Sequence, residues 1–454
     1  MFTGFVACNK KDKVDTNPSL TLNFSTDTVF FDTVFTTIGS VTQKLLVYNN
    51  NDNKVVVSSI RLAGGSQSFY KINIDGTPAT SLSDVEIPGH DSIYIFIRLT
   101  IDPNNGNNPL VVADSILFMT NSNSQNVKLI AWGQDANFYK DKTLKGTIVW
   151  DSLKPHVIYG FVRVDTGASL TILPGTKVYL HKNAYLAVSH QATLKLAGFL
   201  DHPIRFQGDR LDAFYRDLPG QWNGIYLERG SSNNEINYAI IKNGSYGISI
   251  DSISSPADPT LKIDNTIIQN MTGTGLSAYA SNVVSTNCVI GGCGSASIEL
   301  TFGGSYDFRQ LTIGNYWGGS VRLSASLYIS NYVYDINGIK IPNPLKAYFG
   351  NSIIYGNEDE EIMLDSLGGT QFNYTFDHGL LKTKTNISGL SRYIECIKNE
   401  DPVFVDVMNN NYAIDSISPA IKKGIPMLVP YDINGVERGQ TPDLGAYQYV
   451  KKIF

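Results

Sequence analysis

Five short segments of the chain share one pattern, and their spacing admits few folds. They are "NYAIIKN" (237–243), "DNTIIQN" (264–270), "TNCVIGG" (286–292), "RQLTIGN" (309–315) and "GNSIIYG" (350–356). In each, an isoleucine is followed two positions later by Asn or Gly: Ile241/Asn243, Ile268/Asn270, Ile290/Gly292, Ile313/Asn315 and Ile354/Gly356. Asn and Gly accept a left-handed backbone at the least cost. A second strand is expected from Ile248, Leu276, Ile298, Val321 and Ile362, alternating with Ile250, Ala278, Leu300, Leu323 and Leu364. The isoleucines are 27, 22, 23 and 41 residues apart. The first three intervals are one coil of a parallel β-helix, and the fourth places an insertion at about 325–345. Such a coil cannot bury its own apolar face, whereas stacked coils bury a continuous core. Ala239, Thr266, Cys288, Leu311 and Ser352 form one inward row, which makes Cys288 structural.

Residues 20–135 carry a different pattern. "DSIYIFIRLTI" (91–101) puts Ile93, Ile95, Ile97, Leu99 and Ile101 on one face at a period of two. Further strands are expected at 28–35, 42–49, 54–62, 110–118 and 127–133, with polar turns between them. Short strands at this spacing predict a β-sandwich. Their order resembles the immunoglobulin-like modules that precede β-helices in bacterial surface proteins. Residues 136–146 read as a linker.

The segments at 168–208 and 219–227 supply Leu170, Ile172, Pro174, Gly175, Thr176, Leu194, Gly198, Pro203, Ile204, Phe206, Trp222, Gly224 and Ile225. In these residues the chain resembles the first coils of right-handed parallel β-helix proteins of the pectate-lyase-like superfamily. Near the end, Asp432, Gly435, Arg438, Asp443, Gly445, Ala446 and Tyr447 fit the closing segment of secreted bacterial β-helix proteins, with Gln448 where that pattern has Glu. The resemblance spans about 147–450 and implies an all-β chain: an immunoglobulin-like sandwich, then a right-handed parallel β-helix over 147–396 and a closing segment over 397–454.

Many proteins of that superfamily cleave acidic polysaccharides. Hydrolysis needs two carboxylates roughly 5–9.5 Å apart across the scissile bond. The outward row Ser249, Ser277, Glu299, Arg322, Met363 offers one, beside an arginine with which it reads as a surface ion pair. The next row, Asp251, Tyr279, Thr301, Ser324, Asp365, holds two acids four coils apart. No cluster of basic residues suits elimination, so no catalytic residue is assigned. The acidic run "NEDEEIMLD" (357–365) lacks the glycine-punctuated ligand spacing of calcium loops, and the histidines lack metal-ligand spacing, so neither metal nor cofactor is expected. "FDHG" (376–379) reads as a turn. The candidate binding residues are aromatic: Tyr316 and Trp317, with Tyr328, Tyr332 and Tyr334 in the insertion. Such rings stack on sugars or anchor protein interfaces, and they would equally serve to cover the flank of a β-helix.

Charged residues are only 17% and the net charge is −5, which leaves no basic footprint for nucleic acid. No apolar run reaches the roughly 18 residues of a membrane-spanning helix. "FVACNKKD" (5–12) places a small residue before Cys8 and a polar stretch after it. This resembles a bacterial lipobox, in which the signal is removed and the cysteine carries diacylglycerol. On that resemblance residues 1–19 are a signal-peptide remnant, an acylated Cys8 and a tether. The chain is then expected to be a Bacteroidota-type lipoprotein, anchored through outer-membrane lipid and facing the cell surface. The expected role is non-enzymatic, as a glycan binder or as a scaffold subunit for an outer-membrane protein. A polysaccharide lyase or glycoside hydrolase is the alternative.

Overall fold

The computed structural model describes residues 13–35, 40–101, 110–211, 214–251 and 259–451. Cys8 and the lipobox-like residues lie outside the described residues. The chain divides into two compact units, 1–136 and 137–454.

The first unit has two sheets. Strands 23–24, 43–49, 91–99, 70–74 and 77–79 form one, antiparallel throughout. Strands 28–35, 123–134, 110–120, 55–62 and 81–82 form the other, with 85–87 also on 55–62. Here 28–35 runs parallel to 123–134. Both sheets feed one apolar core, to which the alternation of residues 93–101 contributes every second side chain.

The second unit is a parallel β-helix with three ladders. The first holds 177–180, 204–208, 239–242, 267–271, 289–293, 312–315, 353–356, 380–381 and 397–398. In it Ile241, Ile268, Ile290, Ile313 and Ile354 stack in register and are buried, as their spacing predicts. The second ladder stacks Ile225, Ile248, Leu276, Ile298, Leu327 and Ile362. The third stacks 169–172, 193–197, 234–237, 261–264, 283–286, 304–309, 345–350 and 372–377. The Phe308, Phe349 and Phe376 rings form a column inside it, with centroids 5.3 and 5.1 Å apart.

Three expectations are corrected. Residues 137–144, read as linker, are a strand of the first coil, paired with 156–164. Phe138 and the lysines of this stretch point outward, so its polar composition reflects a solvated face rather than a loop. The second-ladder strand placed at Val321 and Leu323 is Leu327–Ser330 instead, and both predicted residues are exposed in the preceding loop. The insertion is therefore the antiparallel ribbon Tyr332–Tyr334 with Lys340–Pro342. Finally, 372–377 is a regular third-ladder strand, and His378 is the corner after it.

That corner recurs. After the third-ladder strands from 234–237 onward, the last being 393–394, the next residue is left-handed: Tyr238, Asn265, Asn287, Gln310, Asn351, His378 and Glu395 have φ between 46° and 55°. One left-handed residue at this point sends the chain into the next coil. The corner after the first ladder is left-handed at Asn243, Asn270 and Gly292. Asn315, expected to match, is instead fully buried, its side chain accepting from Cys293 N and donating to Ser295 O. Residues 404–449 run back along the outer face of the first ladder. Tyr412 lies over Gly291 and Gly314, where any β-carbon would meet its ring. The three cysteines of this unit are free, and burial pushes Cys288 and Cys293 up to about 12.

Candidate functional site

A groove of about 580 Å³ runs along the outer face of the third ladder. Its floor follows from strand alternation. Lys195, Glu235 and Lys262 stack in one outward row, and Asn237, Asp264 and Thr286 in the next. Lys195 pairs with Glu235 at 3.4 Å and Lys262 with Asp264 at 3.7 Å. Asp264 also accepts from the Thr286 hydroxyl. Both groove carboxylates thus already face a lysine.

The corner forms one edge. Asn287 donates to Asn265 at 3.0 Å and Asn265 to Asn237 at 2.9 Å, an amide ladder up three coils. The opposite wall is the returning segment Leu428–Tyr431. It is tied down where Asn287 donates to Tyr431 O at 2.8 Å and the buried Arg438 donates to Asn287 Oδ1 at 2.9 Å. Burial lowers the Arg438 guanidinium to about 10 against the pull of Asp432 and Asp443, so it stays charged at neutral pH. Tyr431 is more than half exposed at the rim. Tyr238 lines the groove too, its phenol held neutral by burial and then by Asp432. The result is a polar cleft with nearly balanced charge and an aromatic edge, suited to hydroxyl-rich ligands.

The five aromatic candidates do not form one site. Tyr316 packs against Phe404 and Tyr412 under the returning segment. Trp317 is buried and donates its indole N–H to Ser320 at 3.0 Å. Both serve the flank of the β-helix. Tyr328 and Tyr332 instead donate to one carboxylate oxygen of Asp365, at 3.1 and 2.7 Å. Burial and then Asp365 push the Tyr328 phenol up to about 12. Lys340 sits 4.0 Å from the Tyr332 ring centre and 5.5 Å from that of exposed Tyr334. These three tyrosines, with Asp365 and Lys340, hold the base of the ribbon.

The predicted Glu299–Arg322 surface pair is absent, because Arg322 does not occupy that row; Tyr328 stands beside Glu299. Arg322 is buried against Glu361 of the acidic run. The rest of that run is engaged as well. Glu360 accepts from the backbone N–H of Ile362 and Lys384, and Asp359 pairs with Lys384 at 3.4 Å.

A smaller hollow of about 370 Å³ lies on the second ladder, lined by Arg163, Tyr185, Tyr226, Glu228, Ser249 and Asp251. Glu228 pairs with Arg163 and accepts from Ser189 at 3.3 Å. Because Leu227 stacks on Ile250, Glu228 and Asp251 follow on neighbouring coils. Glu228 lies one coil before Asp251, where the outward row read from the repeats begins, so the repeats alone do not reveal this pair.

Residues 212–316 match the family model described as "Right handed beta helix region". The three parallel ladders carry that architecture well beyond the matched stretch, through the last first-ladder strand at 397–398. No curated protein matches the chain. Among solved structures, a pectate lyase, Pel9A, is 13% identical, with 69% of this chain and 86% of that chain covered and a TM-score of 0.32. A family 123 glycoside hydrolase from Clostridium perfringens is 12% identical with a TM-score of 0.18, over 27% of this chain. The chain spans about a quarter (26%) of that hydrolase's length. PapD-like domain 7 of human CEP192 is also 12% identical with a TM-score of 0.18, covering 26% of this chain and 87% of that one.

Proposed function

We propose that this chain is an acyl-anchored envelope protein that binds a neutral or weakly charged glycan in the third-ladder groove without cleaving it. The observation that carries this reading is the groove itself: paired charges, stacked amides and an exposed tyrosine, on a rigid parallel ladder. Sugar hydroxyls take hydrogen bonds from amides and lysines, and sugar faces stack on tyrosine. Both groove carboxylates are engaged by lysine, which suits retention rather than acid–base turnover. The lipobox-like "FVAC" supports attachment to the outer membrane through Cys8, with the cell surface as the facing side. The two-sheet N-terminal unit is then an immunoglobulin-like spacer between anchor and β-helix.

The test is binding of the full chain to a panel of purified polysaccharides, followed by calorimetry on any that is retained. Tyr431→Ala should weaken binding roughly threefold to tenfold, the worth of one lost ring stack. A panel with no retained glycan, or a Tyr431→Ala variant that binds as well as the parent, would sink the reading.

One observation favours the enzymatic alternative, the adjacent Glu228 and Asp251 beside Arg163. Neighbouring strands of a ladder lie about 4.8 Å apart, close to the roughly 5–5.5 Å carboxylate spacing of retaining glycoside hydrolysis. Release of reducing ends by the parent chain, abolished in Glu228→Gln, would establish it.

A further inference from the structure

The chain contains the same turn twice. Tyr334-Asp335-Ile336-Asn337-Gly338-Ile339 forms the tip of the ribbon, and Tyr431-Asp432-Ile433-Asn434-Gly435-Val436 lies in the returning segment. Their backbones match bond for bond. Asp335 Oδ1 accepts from Asn337 N at 2.9 Å and Ile339 N at 2.7 Å; Asp432 Oδ1 accepts from Asn434 N and Val436 N, both at 2.8 Å. Asp335 N donates to Ile339 O and Asp432 N to Val436 O, both at 2.8 Å. Gly338 and Gly435 have φ of 76° and 79°. Tyr334 pairs across the turn with Lys340, as Tyr431 does with Glu437.

The two copies differ in burial. Ile433 is 4% exposed, seated among Val289, Tyr412 and Ala446 on the flank of the β-helix. Ile336 is 100% exposed. Around it Tyr334, Ile339 and Ile341 are exposed too. The turn thus presents as a free knob what its twin uses as a plug.

We infer that the ribbon 332–342 docks this chain to another protein, with Ile336 entering an apolar socket of the kind that holds Ile433: a β-branched, an aromatic and a small side chain on a sheet flank. The twin supplies both the shape of the knob and the chemistry of its seat. The ribbon is also pre-organised. Asp365 holds Tyr332, Lys340 lies over both tyrosine rings, and Asn343 N donates to Asn331 O at 2.7 Å across the base. A rigid knob loses little freedom on binding. One isoleucine in a dry socket, ringed by apolar neighbours, has the anatomy of an interface hot spot. Docking through this ribbon does not depend on what the groove binds.

The experiment places a photoreactive benzoylphenylalanine at the exposed Asn337 position of the full chain, in the membranes of cells that make it, and maps the adducts by mass spectrometry. The expected result is an adduct on aliphatic or aromatic residues of one other protein, lost when Ile336→Asp is added. With that protein purified, Ile336→Asp should weaken association about 10- to 100-fold, the worth of one buried isoleucine. Its melting midpoint should equal the parent's, whereas Ile433→Asp should lower it. Adducts only on lipid, on a second copy of this chain or on its own residues 13–135 would overturn the inference. So would undiminished association of the Ile336→Asp variant.

Discussion

Arg322 and Glu361 form a two-pronged ion pair with both side chains wholly out of solvent. Arg322 Nη1 donates to one carboxylate oxygen at 2.9 Å and Nη2 to the other at 2.6 Å. The guanidinium also donates to Ser324 O and Asn357 Oδ1, and the carboxylate accepts from the backbone N–H of Ser326 and Glu358. The pair therefore knits the loop before strand 327–330 to the acidic turn one coil later. Taking two charges out of water costs nearly what their attraction returns, whereas leaving one of them alone is expensive. Arg322→Met should destabilise the second unit by about 3–5 kcal/mol. Adding Glu361→Leu should recover most of that loss in chemical denaturation. A double variant as unstable as the single one would show that the hydrogen bonds, not the charges, matter.

Asn270 separates backbone from side chain. Its φ is 61°, and its amide donates to Asn243 Oδ1 and Asp217 O, each at 2.7 Å. Asn270→Gly keeps the left-handed turn and loses the two bonds, at about 1 kcal/mol each. Asn270→Val also forces a β-branched residue into that turn, adding about 1–2 kcal/mol. Equal melting midpoints for the two variants would mean the corner relaxes.

His156 makes the first coil sensitive to acid. It stacks on Trp150 with centroids 4.5 Å apart, accepts from the Tyr139 hydroxyl at 3.0 Å and meets Asp151 O at 3.1 Å. The neutral ring with its proton on Nε2 satisfies both bonds. Burial lowers its pKa below the ordinary 6.5, outweighing the opposing pull of Asp151. The unfolded chain then takes up the proton first. Stability from this group is complete above pH 6.5 and declines as the pH falls towards the lowered value. The melting midpoint of His156→Gln should fall less between pH 7.5 and 5 than the parent's. Parallel curves would remove His156 as the cause.

The thiols should react in order of burial. Cys396 is pushed up to about 11, Cys288 and Cys293 to about 12, burial being the main cause in each. Little thiolate forms at pH 8. Iodoacetamide should therefore label Cys396 slowly and the other two only on unfolding. Prompt native labelling of Cys288 would contradict its place in the inward row.

The coil register was legible because the inward isoleucine repeats in all five coils, joined in three of them by a left-handed Asn or Gly two positions later. It failed at Val321 and Leu323 because a loop there carries alternating apolar residues, and because Arg322 pays for its burial with a partner 39 residues away. Tyr316 and Trp317 are sequence neighbours of the other tyrosines but stand one corner away, so proximity in the chain misgrouped them. The groove was invisible for a similar reason. Its far wall reaches Asn287 from Tyr431, 144 residues on. No local pattern announces such a meeting, and the repeated Tyr-Asp-Ile-Asn-Gly turn was legible only as two unrelated stretches.

Each strand of the three ladders finds its partners in the coils before and after it, never across the corner it leads into. Between the second and third ladders the chain therefore crosses with a single left-handed Ala280 in one coil and with the whole ribbon 331–344 two coils later, while the strands on either side keep register. Corners behave like interchangeable sockets on a fixed rail. A lineage carrying this scaffold can lengthen, replace or delete what one corner displays without renegotiating the rest, so variation between relatives should concentrate at these points and leave the rail unchanged.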